Sequence, residues 1–308
     1  EDAKIAQLVA KQKALGLRAV TDGEYRRNWW HLDFLWNLDA PEVAAEQGSI
    51  AFKKRQTKAE TIEIVSKVGF SGHPFIEDFK AVQTFAGDSP AKFTIPSPSM
   101  LHLITAVRNQ QYKPLERYRD NDTLLADIAA TYKKAVAAFY EAGCRYLQFD
   151  DTSWGEFCSE EKEPGYIARG FDMDRLERDY VSMINEALSE RPVDMTVANN
   201  LPWQFPQHKF SSGGYEPVAE ILFGNTKVDG FFLEYDSDRA GDFSPLRLMK
   251  DQQVVLGLVS SKTGQLEDKQ SIIERIREAT DYLRQPTVPQ PSMRFASTEE
   301  EPAAEEEQ

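Results

Sequence analysis

The sequence predicts an α/β fold of the (β/α)8-barrel type, and three observations carry that prediction. Six apolar strand candidates are spread along the chain, each followed by a helical pattern, and such alternation builds a parallel sheet with right-handed crossovers. Polar or acidic residues cluster just past the C-terminal ends of several strands: Asp22 and Glu24, Ser97 and Ser99, Asp150 and Asp151, Glu234 and Asp236, Ser260 and Ser261. A rim assembled from many strand ends is how a barrel makes its site. No Gly-x-Gly-x-x-Gly follows any strand, so the competing doubly wound, dinucleotide-binding sheet lacks its usual fingerprint.

The elements follow in order. Residues 1 to 15 carry a helical pattern (Ile5, Leu8, Val9, Leu15) closed by Gly16, and Arg18 to Val20 form a short strand ending in Thr21-Asp22-Gly23-Glu24. Residues 31 to 90 read as an insertion, with a Trp- and His-bearing segment, a Lys-rich run and an alternating stretch from Thr61 to Phe70 that suits a hairpin. Ala91 to Ile95 is the second strand, followed by a short helix from Met100. Asn121 and Asp122 can cap a helix whose apolar positions run from Leu124 to Phe139, with Gly143 as its stop. Strand Tyr146 to Phe149 runs into Asp150-Asp151, and helix Asp172 to Leu188 follows. Strand Val193 to Ala198, a helix near Pro217 to Leu222, strand Val228 to Leu233, strand Val254 to Val259 and helix Lys269 to Leu283 complete the series. One strand before Glu1 and one between Thr287 and Phe295 would bring the count to eight. The reading is one barrel domain over 1–298, with an insertion at about 31–90 and an acidic tail or incomplete helix over 299–308. The missing initiating Met and the helical pattern at residue 1, with a Glu-rich end from Thr298 that resembles an uncompleted helix, predict truncation at both ends.

Composition narrows the function. Net charge is -14, and six glutamates between 299 and 307 supply six of those charges; an acidic surface disfavours nonspecific binding to nucleic acid or anionic membranes. No apolar run reaches a membrane span, and the start has no leader pattern. Cys144 and Cys158 are the only cysteines, too few for a disulfide framework. A cytoplasmic protein with small-molecule partners is the expectation.

Three segments resemble the catalytic domain of the cobalamin-independent methionine synthase family, and more closely its stand-alone bacterial relatives: Val20-Thr21-Asp22-Gly23-Glu24-Tyr25-Arg26-Arg27, Tyr146 to Asp151 running on to Glu156, and Phe231 to Asp236. Val255 to Lys262 and the Phe295-Ala296-Ser297 triplet fit as well. The resemblance implies methyl transfer from 5-methyltetrahydrofolate, usually polyglutamylated, to homocysteine. A zinc ion would hold the sulfur as thiolate, since a thiol is a poor nucleophile at neutral pH. It also implies that Glu24 and Asp150 grip the amino group of homocysteine, that Glu156 binds the pterin, and that Glu234 is a zinc ligand. The bland alternatives are an ion pair of Glu24 with Arg26 or Arg27 and a helix N-cap for Asp150.

The pattern departs from the family at the metal. A His-x-Cys pair belongs where Thr196 to Trp203 stand, and a last Cys belongs near Met293. Only Glu234 survives of four ligands, and one carboxylate alone binds zinc weakly. His208 is a lone loop histidine, the family's proton-donating His is absent from Ser260 to Lys262, and the position of a pterin-stacking aromatic falls near Leu103, beside His102. The main expectation is zinc-dependent methionine synthesis. The alternative is a metal-free relative that binds an amino acid or folate without methyl transfer. A third reading, a uroporphyrinogen decarboxylase-like barrel, would rest on Arg26 and Arg27.

Overall fold

The computed structural model describes residues 1–52, 55–158, 162–202, 214–237 and 240–284. Helix α1 (Asp2–Ala14) buries Ile5 and Val9 against Val20 and Ala86. The expected first strand shrinks to a single parallel bridge, Val20 to Ala91, because the turn at Asp22-Gly23-Glu24 follows at once. The insertion holds α2 (Leu32–Leu35), an antiparallel hairpin of β1 (Asp39–Phe52) and β2 (Arg55–Gly69), and α3 (Pro74–Ala86). The hairpin is longer than the alternating stretch from Thr61 suggests, and that stretch forms only its returning strand. Val68 anchors it to the body, donating its N–H to the Tyr118 hydroxyl at 2.9 Å.

Five parallel strands form the wall in chain order: β3 (Lys92–Pro96), β4 (Tyr146–Asp150), β5 (Thr196–Leu201), β6 (Gly230–Glu234) and β7 (Gln253–Gly257). With the Val20 bridge they give six consecutive wall positions, a (β/α)8-barrel arrangement carrying an insertion. The strand expected between Thr287 and Phe295, the acidic tail and His208 lie outside the described residues. Helices α4 (Pro98–His102), α5 (Asn121–Glu141), α6 (Ser153–Phe157), α7 (Glu163–Ala168), α8 (Met173–Ala187), α9 (Glu216–Asn225) and α10 (Lys269–Leu283) complete the alternation. Among the described residues no helix is long and apolar enough to cross a membrane.

Period-two alternation sorts the wall into two faces. Phe93 meets Phe79 of α3 and Phe139 of α5, Phe149 meets Tyr132 of α5, and Phe231 meets Phe223 of α9. These residues face the helices. Their neighbours Thr94, Gln148, Asp150, Asn200, Phe232 and Glu234 therefore face the barrel interior. Caps fix where helices begin: Asp172 accepts from the Arg175 N–H at 3.0 Å and Asp268 from Ser271 N–H at 2.8 Å, each contributing about 1 kcal/mol.

One strand lies differently from its sequence reading. The Val193 side of the predicted Val193 to Ala198 strand is a turn, closed by Met195 N–H to Pro192 O, and Val193 is fully exposed. The strand instead runs to Leu201 through Asn199 and Asn200, poor strand formers whose backbone is held by β4 and β6 on either side.

Candidate functional site

The site grows from three strand tips. After Val20 the chain turns through two left-handed residues, Gly23 at φ +64 and Glu24 at φ +57. Asp22 steadies the turn, its Oδ1 accepting the Glu24 N–H at 3.0 Å. The left-handed backbone at Gly23 favours glycine, and a Cβ there would also have to push aside the end of the Leu8 side chain, 2.4 Å away. A non-glycine residue held left-handed stores strain that is concentrated at functional sites.

That turn aims Glu24 at β3. Glu24 Oε1 accepts from Thr94 Oγ1 at 2.6 Å and from Arg27 at 3.0 Å. Arg27 also donates to Thr94 O at 2.7 Å, and its guanidinium lies over the rings of Phe75 and Phe93 at 4.4 and 5.0 Å. On the next strand, Asp150 Oδ1 accepts from Gln148 at 2.6 Å and from Asn200 at 2.8 Å. Burial pushes the Asp150 carboxyl up to about 6, against the hydrogen bonds from Asn200 and Gln148; the Glu24 charge adds to the push and Arg27 opposes it. All four of these side-chain bonds fall on Glu24 Oε1 and Asp150 Oδ1, one oxygen of each carboxylate. Below them lies the Lys92 ammonium, 4.0 Å from the Phe232 ring and 5.0 Å from that of Tyr146. Burial lowers Lys92 to about 8, with the Asp150 charge pulling the other way.

Both bland alternatives can now be placed. Glu24 does pair with Arg27, through the same oxygen that accepts from Thr94; Arg26 turns away to Asp2 and Asp78. Asp150 caps nothing, because the helix that follows takes its N-terminal bond from Asp151, whose Oδ1 accepts Ser153 N–H at 3.0 Å. With Arg26 and Arg27 both committed to carboxylates, the decarboxylase-like reading loses the two arginines it rested on.

Asp151 and Glu156 are acids of another kind. Asp151 is fully buried and accepts from Ser99, from Ser153 twice and from the Trp154 ring N–H. Glu156, also buried, binds Arg108 and the Tyr166 hydroxyl, with Lys162 at 3.1 Å. Burial alone would raise Glu156, but the Arg108 charge and bond, Lys162 and the Tyr166 bond together lower it. His31 lies near this group: burial and then the Arg108 charge lower it to about 4. His102 is a structural histidine, joined to Tyr180 at 3.0 Å and Asn121 at 2.8 Å, and Leu103 beside it is fully buried.

The zinc expectation must be corrected. Among the described residues no group of three or more His, Cys, Asp or Glu side chains is placed to hold a metal ion. The expected ligand Glu234 instead binds the Lys262 ammonium, which also donates to Asp236 Oδ1 at 2.8 Å. Burial would lower Lys262, and its bonds to Asp236 and Glu234 more than reverse this. On the interior face β5 offers Thr196, Ala198 and Asn200, none of them a zinc donor of useful strength. Both thiols are buried and raised by burial, Cys144 to about 12, the opposite of what a thiolate ligand needs. These residues do not fit zinc, and the zinc-dependent transfer of methyl to homocysteine is withdrawn with it.

The sequence reading placed Glu24 and Asp150 just past strand ends and raised the Glu24–Arg27 pair as an alternative; it did not anticipate Thr94, Gln148 and Asn200 as partners of these acids, or Lys262 as the partner of Glu234 and Asp236. Thr94 and Gln148 carried a usable signal, since period-two counting from Asp150 or along β3 puts them on the interior face.

The fold and rim define the class first: a (β/α)8 barrel whose strand ends carry a paired-acid site. Comparison with known proteins carries this further. No family model matches the chain. The uncharacterized Bacillus subtilis proteins YxjG and YxjH are 43% and 41% identical over 312 aligned positions, covering 100% of this chain and 81% of each relative. A solved structure from Listeria monocytogenes, provisionally named a vitamin-B12 independent methionine synthase, is 38% identical with a TM-score of 0.72, over 96% of this chain and 80% of that one. A B12-independent methionine synthase from Shewanella sp. W3-18-1, solved with selenomethionine, shares the fold at 16% identity and a TM-score of 0.69, over 95% and 79% of the two chains. The chain belongs to the cobalamin-independent methionine synthase-like family.

Proposed function

We propose that this chain is a metal-independent member of its family that binds a small amino acid through Glu24 and Asp150, without zinc-activated methyl transfer. The observation that carries the reading is the pair of half-used carboxylates. Glu24 and Asp150 are close enough for the charge of one to raise the other, and among the described residues the side-chain hydrogen bonds they accept fall on Oε1 and Oδ1, leaving Oε2 and Oδ2 for a ligand. Two such acids in a half-buried rim repel each other and are relieved by an ammonium group, which donates to both oxygens.

The family's homocysteine-type and folate-type substrates supply the first ligands to try. Homocysteine has the required ammonium. A pterin at Glu156 would have to displace Arg108 or Tyr166 from a carboxylate that is already fully engaged, so methyltetrahydrofolate is the weaker partner. Calorimetric titration of L-homocysteine into reduced, chelator-treated protein tests the assignment. Binding should survive the chelator, and Glu24→Gln and Asp150→Asn should each weaken it about ten-fold, the loss of one charged hydrogen bond. Binding that appears only with zinc, or that ignores both substitutions, would sink the reading.

A further inference from the structure

Glu234 ends β6 on the interior face, and Asp236 follows two residues later. Between them Tyr235 turns the other way and is fully buried against Tyr215 and Phe243. The two carboxylates therefore face the same space, where their mutual repulsion needs a cation. Lys262, 28 residues downstream and past the end of β7, delivers one: its ammonium bonds Glu234 and reaches Asp236 at 2.8 Å. All three side chains are largely shielded, at 21%, 6% and 20% exposure for Glu234, Asp236 and Lys262. Ion pairs so placed are screened much less than surface pairs.

We propose that Lys262 is the resident cation of this rim and closes Glu234 to divalent metals, so that a protein side chain holds the place that a metal ion has in the family resemblance. An ammonium satisfies carboxylates without the thiolate or imidazole donors that zinc selects. Because it is tethered, it acts at high effective concentration, and a free ion must displace it before reaching Glu234. The charge of the rim is then independent of metal supply.

The test titrates zinc and manganese chloride, by calorimetry, into reduced and chelator-stripped wild type, Glu234→Gln, Lys262→Met and the Lys262→Met/Glu234→Gln double variant. Wild type and Glu234→Gln should titrate alike. Lys262→Met should bind about ten-fold tighter or better than wild type, the double variant should lose that gain, and Lys262→Arg should behave as wild type. A wild type whose metal affinity falls about ten-fold on Glu234→Gln would already hold metal there, overturning the proposal. So would a folded Lys262→Met with no gain. Should Lys262→Met fail to fold, the comparison of wild type with Glu234→Gln decides alone. No amino-acid ligand enters these titrations, so their result is independent of the binding function proposed above.

Discussion

Asp150 and Asp151 are chain neighbours that face opposite sides of the same sheet, and they show two ways a barrel uses an acid. Asp151 points toward the helices, where Ser99, Ser153 and Trp154 fill both its oxygens. Asp150 points inward and receives its two bonds on one oxygen. The contrast extends round the rim: Glu156 and Glu234 are closed by cations, whereas among the described residues Glu24 and Asp150 accept these side-chain bonds on one oxygen each. Closed acids hold the strand ends in place, and open acids have binding capacity left. Substitution should therefore separate them, closed positions failing in stability and open ones in ligand affinity.

The largest effect is expected at Asp151. Asp151→Ala strands four buried donors at once and should cost about 3–5 kcal/mol, the range for breaking a buried, fully bonded charge. Chemical denaturation would read this as a lower midpoint with an unchanged slope. A loss under about 1 kcal/mol would mean that Asp151 is no structural hub and that the comparison fails at its first member. Glu156→Gln should follow at about 2–3 kcal/mol, since Arg108 is partly exposed and recovers some hydration.

The same contrast marks what the sequence could disclose. The place of Asp150 at a strand end was legible because it closes an apolar run, and strand ends of a barrel are where sites are built. The helix Asn121–Glu141 was legible from its helical spacing, although its cap is Asp120 rather than Asn121 or Asp122, and Lys269–Leu283 was read with the bounds that the structure has. The closing partners were not: Arg108 lies 48 residues from Glu156, and Lys262 lies 28 from Glu234. No local pattern encodes an ion pair made by the packing of separate loops. Strand β5 was misplaced for a related reason. Asn199 and Asn200 are weak strand formers, and only pairing with β4 and β6 fixes them, which is a tertiary override of local propensity. The zinc expectation failed because Glu234 alone looks the same whether its partner is a metal or a lysine.

The buried Asp150 carboxyl should show itself in pH dependence. Asp150 has a folded value of about 6 against an ordinary 3.8, so between those values the folded state holds a proton that the unfolded state has released. Stability therefore falls as pH rises through that window, and the full penalty, on the order of 2–3 kcal/mol, is present above it. Asp150→Asn removes this slope, so the wild type should gain on the variant when acidified from pH 7 toward 4. Ammonium binding should show the opposite trend in the wild type, weakening below about pH 6 as the carboxylate is neutralised. Denaturant melts at several pH values check the first trend, and ligand titrations the second. Parallel curves for both proteins would mean that burial does not raise the Asp150 carboxyl in the folded state.

The smallest and sharpest effect belongs to Thr94, which touches only the open side. Its hydroxyl donates to Glu24 Oε1 at 2.6 Å and accepts from Arg27 at 3.1 Å, so it sets where the Glu24 carboxylate stands without supplying charge. Thr94→Val keeps the volume and β-branching that suit β3 and deletes that link. Folding should lose about 1 kcal/mol, the net worth of one hydrogen bond. Affinity for an ammonium ligand should fall by several-fold, about as expected for a charged group left in place but less well aimed. Measured together, the two numbers locate the hydroxyl's role. A stability loss with unchanged affinity would make Thr94 one more closing contact, whereas an affinity loss at nearly constant stability makes it the residue that keeps Glu24 open.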